Sequence, residues 1–227
     1  MERIRLNIQF FGGRGASGLP TAHPSGGGAS KGDDGWTETP NVKSPGSLKE
    51  ALGGKGAPMG IATAAKNANP YYSRDYREFS ENCQRSVVAY EARRRGYDVE
   101  AQPTHKGDTL PSAGKWRGAF MHGKTEAVGA TTANKALANV DKAMAKYGNG
   151  SRAVLSFGWK KSREGHVINV ERRNGKTLYI DAQIGAKYNA KELFSKIRPD
   201  SVKIMRTDNL RFSDRAKKSI ETAGIRK

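Results

Sequence analysis

The chain has 227 residues, of which 36% are hydrophobic and 8% aromatic, and it carries a formal charge of +18 with a sequence pI near 10.1. That length suits one domain with a tail or two small domains, and the low apolar share implies that part of the chain builds no core. A single cysteine excludes an intramolecular disulfide and a multi-cysteine zinc site, and with no stretch of about 18 apolar residues there is no helical membrane span.

Residues 1–70 hold 14 of the 27 glycines and six of the nine prolines, so they read as a flexible tail. Their eight Lys/Arg and five Asp/Glu account for +3 of the charge, which leaves +15 on residues 71–227. A basic folded part favours polyanionic partners, nucleic acid among them. The opening, Met1 to Phe11, is basic but has no apolar run behind it, so it is not a secretory signal. Within it Leu6, Ile8 and Phe10 alternate with polar residues as in a short strand, which suits a docking segment at 6–13. Leu6-Asn7-Ile8-Gln9-Phe10-Phe11-Gly12-Gly13 also resembles the openings of head proteins in phages of Gram-positive bacteria. That resemblance implies a capsid partner and a location in a phage virion or the bacterial cytoplasm.

From Tyr71 the patterning becomes regular. Ser80 or Asn82 is placed to cap a helix running to Arg95 and ending at Gly96, with Val87, Val88, Tyr90 and Ala92 on its buried face. Arg93-Arg94-Arg95 suits its C-terminal dipole. A short strand over Tyr97–Gln102 ends at Pro103, and a looser stretch over Thr104–Gly129 carries Trp116, expected to anchor it to the core. Thr131 or Thr132 caps a second helix through Ala136, Leu137, Val140, Met144 and Tyr147, closed by Gly148. Strands follow at Arg152–Trp159, Gly165–Arg172 and Lys176–Ala182, the last two joined as a hairpin by Asn174-Gly175. A helix near Lys191–Ile197, a strand at Val202–Met205 and a final helix over Ser213–Thr222 complete an α+β domain at 71–227.

The sole cysteine, Cys83, falls in the first turn of the first domain helix, a setting that favours the thiolate form of cysteine. His166 opens one strand of the hairpin and Asp181 closes the other, so both lie at the same end. An imidazole there can take the thiol proton, and a carboxylate can fix its tautomer. Of the other histidines, His23 lies in the tail, while His105 and His122 sit in the irregular stretch, His122 remaining an alternative base. Asn82, Gln84 and Gln102 are all available as oxyanion donors beside the Cys83 N–H.

Glu81-Asn82-Cys83-Gln84-Arg85, Gly165-His166-Val167-Ile168-Asn169 and Tyr179-Ile180-Asp181-Ala182-Gln183-Ile184-Gly185 together resemble the papain-fold toxin domain related to bacterial glutamine deamidases, in the family order Cys, His, Asp. The resemblance spans about Tyr71 to Lys196. Many relatives carry proline where Ala182 stands, and Ser86 occupies a place where a second cysteine is common. The resemblance implies a papain-like fold and a cofactor-free attack by Cys83 on a glutamine side chain of a host protein. His166 would protonate the leaving ammonia, and Gln183 would support the site. Peptide or isopeptide hydrolysis is the nearest other chemistry. A basic, non-enzymatic virion or DNA-associated protein is the reading that the charge favours.

Overall fold

A computed structural model of the chain describes residues 44–73, 76–104 and 115–225. The docking segment at 6–13, His23 and His105 lie outside the described residues. In chain order the helices are α1 (Leu48–Leu52), α2 (Ile61–Ala68), α3 (Arg77–Ser80), α4 (Cys83–Arg94), α5 (Lys115–Gly118), α6 (Ala133–Tyr147) and α7 (Ala190–Lys196). The strands are β1 (Val99–Ala101), β2 (Glu126–Ala127), β3 (Arg152–Gly158), β4 (Gly165–Arg173), β5 (Lys176–Asp181), β6 (Ala186–Tyr188), β7 (Lys203–Arg206) and β8 (Ile220–Thr222). Two short 3-10 turns, Pro199–Ser201 and Asp214–Lys218, complete the set.

Six strands form one antiparallel sheet in the order β2-β7-β3-β4-β5-β6. Period-two alternation divides its side chains between two cores. Val154, Val167 and Ile180 face the layer that contains α4, α2 and α1, while Ala153, Leu155, Ile168, Val170 and Tyr179 face α6 and α7. The fold is therefore α+β, with the cysteine-bearing helix packed on an antiparallel sheet. Asn174 (φ 49°) and Gly175 (φ 72°) supply the positive φ angles that the tight β4–β5 turn demands. Thr132 Oγ1 accepts from the Lys135 N–H to cap α6, and Gly148 ends it.

Two expectations are corrected. Residues 44–70 are not linker: α1 packs on β8 and the Asp214–Lys218 turn, burying Ala51 and Leu52, and α2 packs on α4 and β1, burying Ala64, Ala65 and Ala68. The abundance of Gly and Pro concealed an alanine-rich run, Ile61–Ala68, in which Ala64, Ala65 and Ala68 bury small faces without the side-chain entropy cost of longer residues. The final helix over Ser213–Thr222 is instead a 3-10 turn followed by β8, because β8 pairs with β1 (Val99 with Thr222, Ala101 with Ile220) and buries Ile220. Sheet pairing and burial override the local helix preference of that segment.

α4 is also more central than its pattern implies. All residues from Arg85 to Arg94 are buried, including its charged ones. Arg94 pairs with Glu171 of β4 at 2.6 Å, Tyr90 donates to the same carboxylate at 2.7 Å, and Arg95 and Arg152 both bind Glu91. Arg93 pairs with Asp98.

Candidate active site

Cys83 is the first residue of α4, partly buried beside the core. Asn82, at the N-cap, caps no helix N–H with its side chain, whose Oδ1 accepts from the Ser86 hydroxyl at 3.2 Å, and its backbone carbonyl takes the N–H groups of Arg85 and Ser86. The N–H groups of Cys83 and Gln84, orphans of any first helical turn, have no backbone acceptor among the described residues. They stand available to a negative charge at this helix end.

His166 and Asp181 meet through strand register. Asn169 pairs with Ile180, which sets Asp181 opposite Ile168 and makes it the diagonal neighbour of His166 on the same face. Their separation is 2.8 Å, His166 Nε2 to Asp181 Oδ2. The carboxylate is fully engaged: Oδ2 also accepts from the Tyr188 hydroxyl at 2.6 Å, and Oδ1 from the Gln183 backbone N–H at 3.0 Å. On the other side of the imidazole, Trp159 stacks on the ring at 5.7 Å and Phe157 meets it edge-on. With Nε2 committed to Asp181, Nδ1 is the nitrogen left for the thiol. Cys83 and His166 line one cleft, and Cys83 is near enough to the ring to contribute to its electrostatics.

The electrostatics follow from this cage. Burial pushes the His166 pKa down, but the charge and hydrogen bond of Asp181, with a smaller contribution from Cys83, raise it to about 10. Asp181 is held below the usual carboxylate range: burial opposes this, and His166, Tyr188 and the Gln183 N–H outweigh it. At neutral pH the ring is thus an imidazolium, able to give a proton to a departing amide nitrogen.

Of the proposed supporting amides, Asn82 is buried with both amide hydrogens engaged, on Asn69 Oδ1 (2.9 Å) and the Gln102 carbonyl (3.3 Å). Gln183 Nε2 donates to the Ser80 carbonyl and to Asn82 Oδ1. Gln102 is turned away, toward Arg85 and the carbonyls of Lys217 and Ile220. These three tether the site rather than face its cleft with a free donor. Gln84 differs: among the described residues only its Oε1 is engaged, by the Trp116 backbone N–H at 3.4 Å, which leaves Nε2 as an available side-chain donor beside Cys83. His122 is exposed and does not line the cleft. Trp116 is buried and anchors its segment to the core.

A cleft of about 660 Å³ opens over Cys83, Gln84 and His166, floored by Phe157, Gly158 and Val167. A cavity of about 710 Å³ at the other end of α4, between Leu48, Leu52, Tyr97 and Phe212, contains no nucleophile.

Sequence reasoning missed Tyr188 and Asn69. Tyr188 lies on β6, a strand of three residues too short to carry a pattern. Asn69 ends α2 in the segment read as linker, yet its amide bridges the Phe79 and Gln183 carbonyls at 2.9 Å each and accepts from Asn82. The Asn-Pro pair at 69–70, a turn signal, was the available hint.

Residues 81–186 match the family described as papain fold toxin 1, glutamine deamidase. No curated protein and no solved structure matches the chain. The matched segment holds Cys83, His166 and Asp181 but neither Tyr188 nor Asn69.

Proposed function

We propose, on the premise that residues 81–186 belong to the papain-fold toxin family, that this protein deamidates a glutamine side chain of a protein substrate, with Cys83 as nucleophile. The observation carrying this reading is the imidazole of His166, held by Asp181 and lining one open cleft with Cys83. The Cys83 thiolate adds to the glutamine Cδ, forming a C–S bond and an oxyanion. The N–H of Cys83 and Gln84 Nε2 stand where they can receive that charge. The imidazolium gives its proton to the amide nitrogen, the C–N bond breaks, and ammonia leaves a thioester. Water, losing a proton to His166, attacks the thioester, and the thiolate departs from a glutamate. Glutamine and water become glutamate and ammonia.

The test is to map Gln-to-Glu mass shifts in a cell lysate treated with the wild-type chain or with Cys83→Ala. Shifts confined to the wild type are expected, and identical maps would sink the enzymatic reading. Wild-type-specific cleaved peptides without Gln-to-Glu shifts would assign the same apparatus to peptide hydrolysis. Residues 6–13 are proposed to dock the chain on a phage particle, from their likeness to head-protein openings. A chain lacking its first 13 residues should stay active yet fail to enter particles, and continued entry would refute the docking role.

A further inference from the structure

The charges around the cleft are unevenly compensated. Arg77 and Glu81 pair at 2.8 Å, with Glu164 close enough to sense both. Arg117, Arg163, Arg198 and Lys203 line the same cleft, and none of the four has an acidic partner among the described residues. Arg198 and Lys203 are exposed, so their charge is available to a partner. Their positions are built by the fold. The Arg198 N–H donates to the Gly158 carbonyl at 2.8 Å, and its guanidinium lies where a side chain at Gly158 would be. Only glycine at the end of β3 lets that cation rest against the strand leading to the site. Lys203 stands opposite Ser156 on the adjacent strand. Both cations lie outside residues 81–186.

From this half-compensated rim we infer that the protein substrate presents its target glutamine within an acidic segment, whose carboxylates seat on Arg198 and Lys203 with Arg117 and Arg163 beside them. The inference rests on the deamidase reading above. Because the reacting group is a glutamine side chain, the anion a few residues away belongs to the same polypeptide, which favours carboxylates over a nucleic-acid backbone. Opposite charges across such a rim act mainly on specificity and encounter, and they weaken with salt.

Three synthetic peptides of equal length, each with one central glutamine flanked by Asp, Ser or Lys, separate the outcomes. Binding is read by fluorescence anisotropy with the full chain carrying Cys83→Ala, and turnover by ammonia release with the wild type. The Asp-flanked peptide should bind about tenfold tighter than the Lys-flanked one at low salt, with the gap closing as salt rises. Arg198→Glu should reverse the ranking, a gain for the Lys-flanked peptide that misfolding does not produce. Lys142→Glu, the same charge change on α6 outside the cleft, should leave the ranking intact. Equal binding of the three peptides, no binding of any, or an equal response to Lys142→Glu overturns the inference. So does displacement of the Asp-flanked peptide by a single-stranded oligonucleotide that binds more tightly. An Asp preference in binding without turnover of any peptide sinks the deamidase reading alone. Turnover of all three with equal kcat/KM sinks the acidic preference alone.

Discussion

At the C-terminal end of α4 the charges are answered by partners: Arg94 and Tyr90 share Glu171, Arg95 and Arg152 share Glu91, and Arg93 holds Asp98. At the N-terminal end the first-turn N–H groups carry no side-chain cap, and Cys83 lines the cleft together with the His166 imidazole. One helix thus serves as ion-paired scaffold at one end and as reactive centre at the other. The difference lies in where polar groups are left unanswered. Cavities of similar volume lie at both ends and the chemistry only at the open one, so the state of the polar groups, more than cavity size, marks the site.

The largest effect is expected from Asp181→Asn, which keeps the shape of the open end and removes its charge. With the carboxylate gone, burial is opposed only by the smaller contribution of Cys83, and the His166 pKa falls from about 10. A loss of about 10³–10⁴-fold in kcat/KM is expected, by analogy with other aspartate-oriented histidines. The alkaline limb of the wild-type rate should lie near pH 10 and move to lower pH in the variant. Stability carries the same signature. A raised histidine contributes fully below its unfolded value of 6.5 and loses its contribution as pH climbs to about 10. A depressed aspartate contributes fully above 3.8 and loses its contribution as pH falls through its lowered value. The pair therefore stabilises most between pH 3.8 and 6.5, and thermal unfolding across pH should show a maximum there that Asp181→Asn abolishes. An unmoved alkaline limb would sink the ion-pair account.

Glu171→Ala attacks the opposite end. It strands the Arg94 guanidinium and the Tyr90 hydroxyl in the core. Removal of one partner from a buried pair costs about 3–5 kcal/mol, read by urea unfolding. Turnover per folded molecule should be unchanged, since the site lies at the other end of the helix. A stability change below about 1 kcal/mol would mean that the pair is worth no more than a surface one.

Asn69→Ala tests whether the segment before residue 71 belongs to the site. Its amide joins the carbonyls of Phe79 and Gln183 and receives the Asn82 amide, and α2 presses so closely on the loop that a side chain at Gly185 would crowd Lys66. A loss of about 1–3 kcal/mol is expected from the orphaned buried groups, with a fall in kcat because Gln183 also holds Asp181. Unchanged stability and rate would return residues 44–70 to a linker role.

What the sequence made legible was local or strictly periodic. The Asn174-Gly175 turn, the Thr132 and Gly148 ends of α6 and the position of Cys83 at a helix start are each encoded within a few residues. The proximity of His166 and Asp181 followed from counting back along one hairpin. What stayed hidden depends on partners far along the chain. Ile220 is strand because β1 offers an edge some 120 residues earlier, and Asn69 works because Gln183 is 114 residues away. The ion pairs that bury Arg93 and Arg94 made a dipole-compensating run into core, and no local pattern announces that.

Tyr188→Phe makes the smallest cut, removing one hydroxyl from the open end while its ring keeps its place beside the core under α6 and α7. Asp181 would retain His166 and the Gln183 N–H, so the imidazole stays charged at neutral pH and the loss in kcat should be about tenfold or less, with KM unchanged. The pH profile separates positioning from packing. The Tyr188 hydrogen bond helps hold Asp181 below its ordinary range. Its removal should therefore shift the acid limb to higher pH, while the alkaline limb set by His166 moves far less than in Asp181→Asn. A hydroxyl that merely filled space would leave both limbs in place, and that result would move Tyr188 from the site to the scaffold.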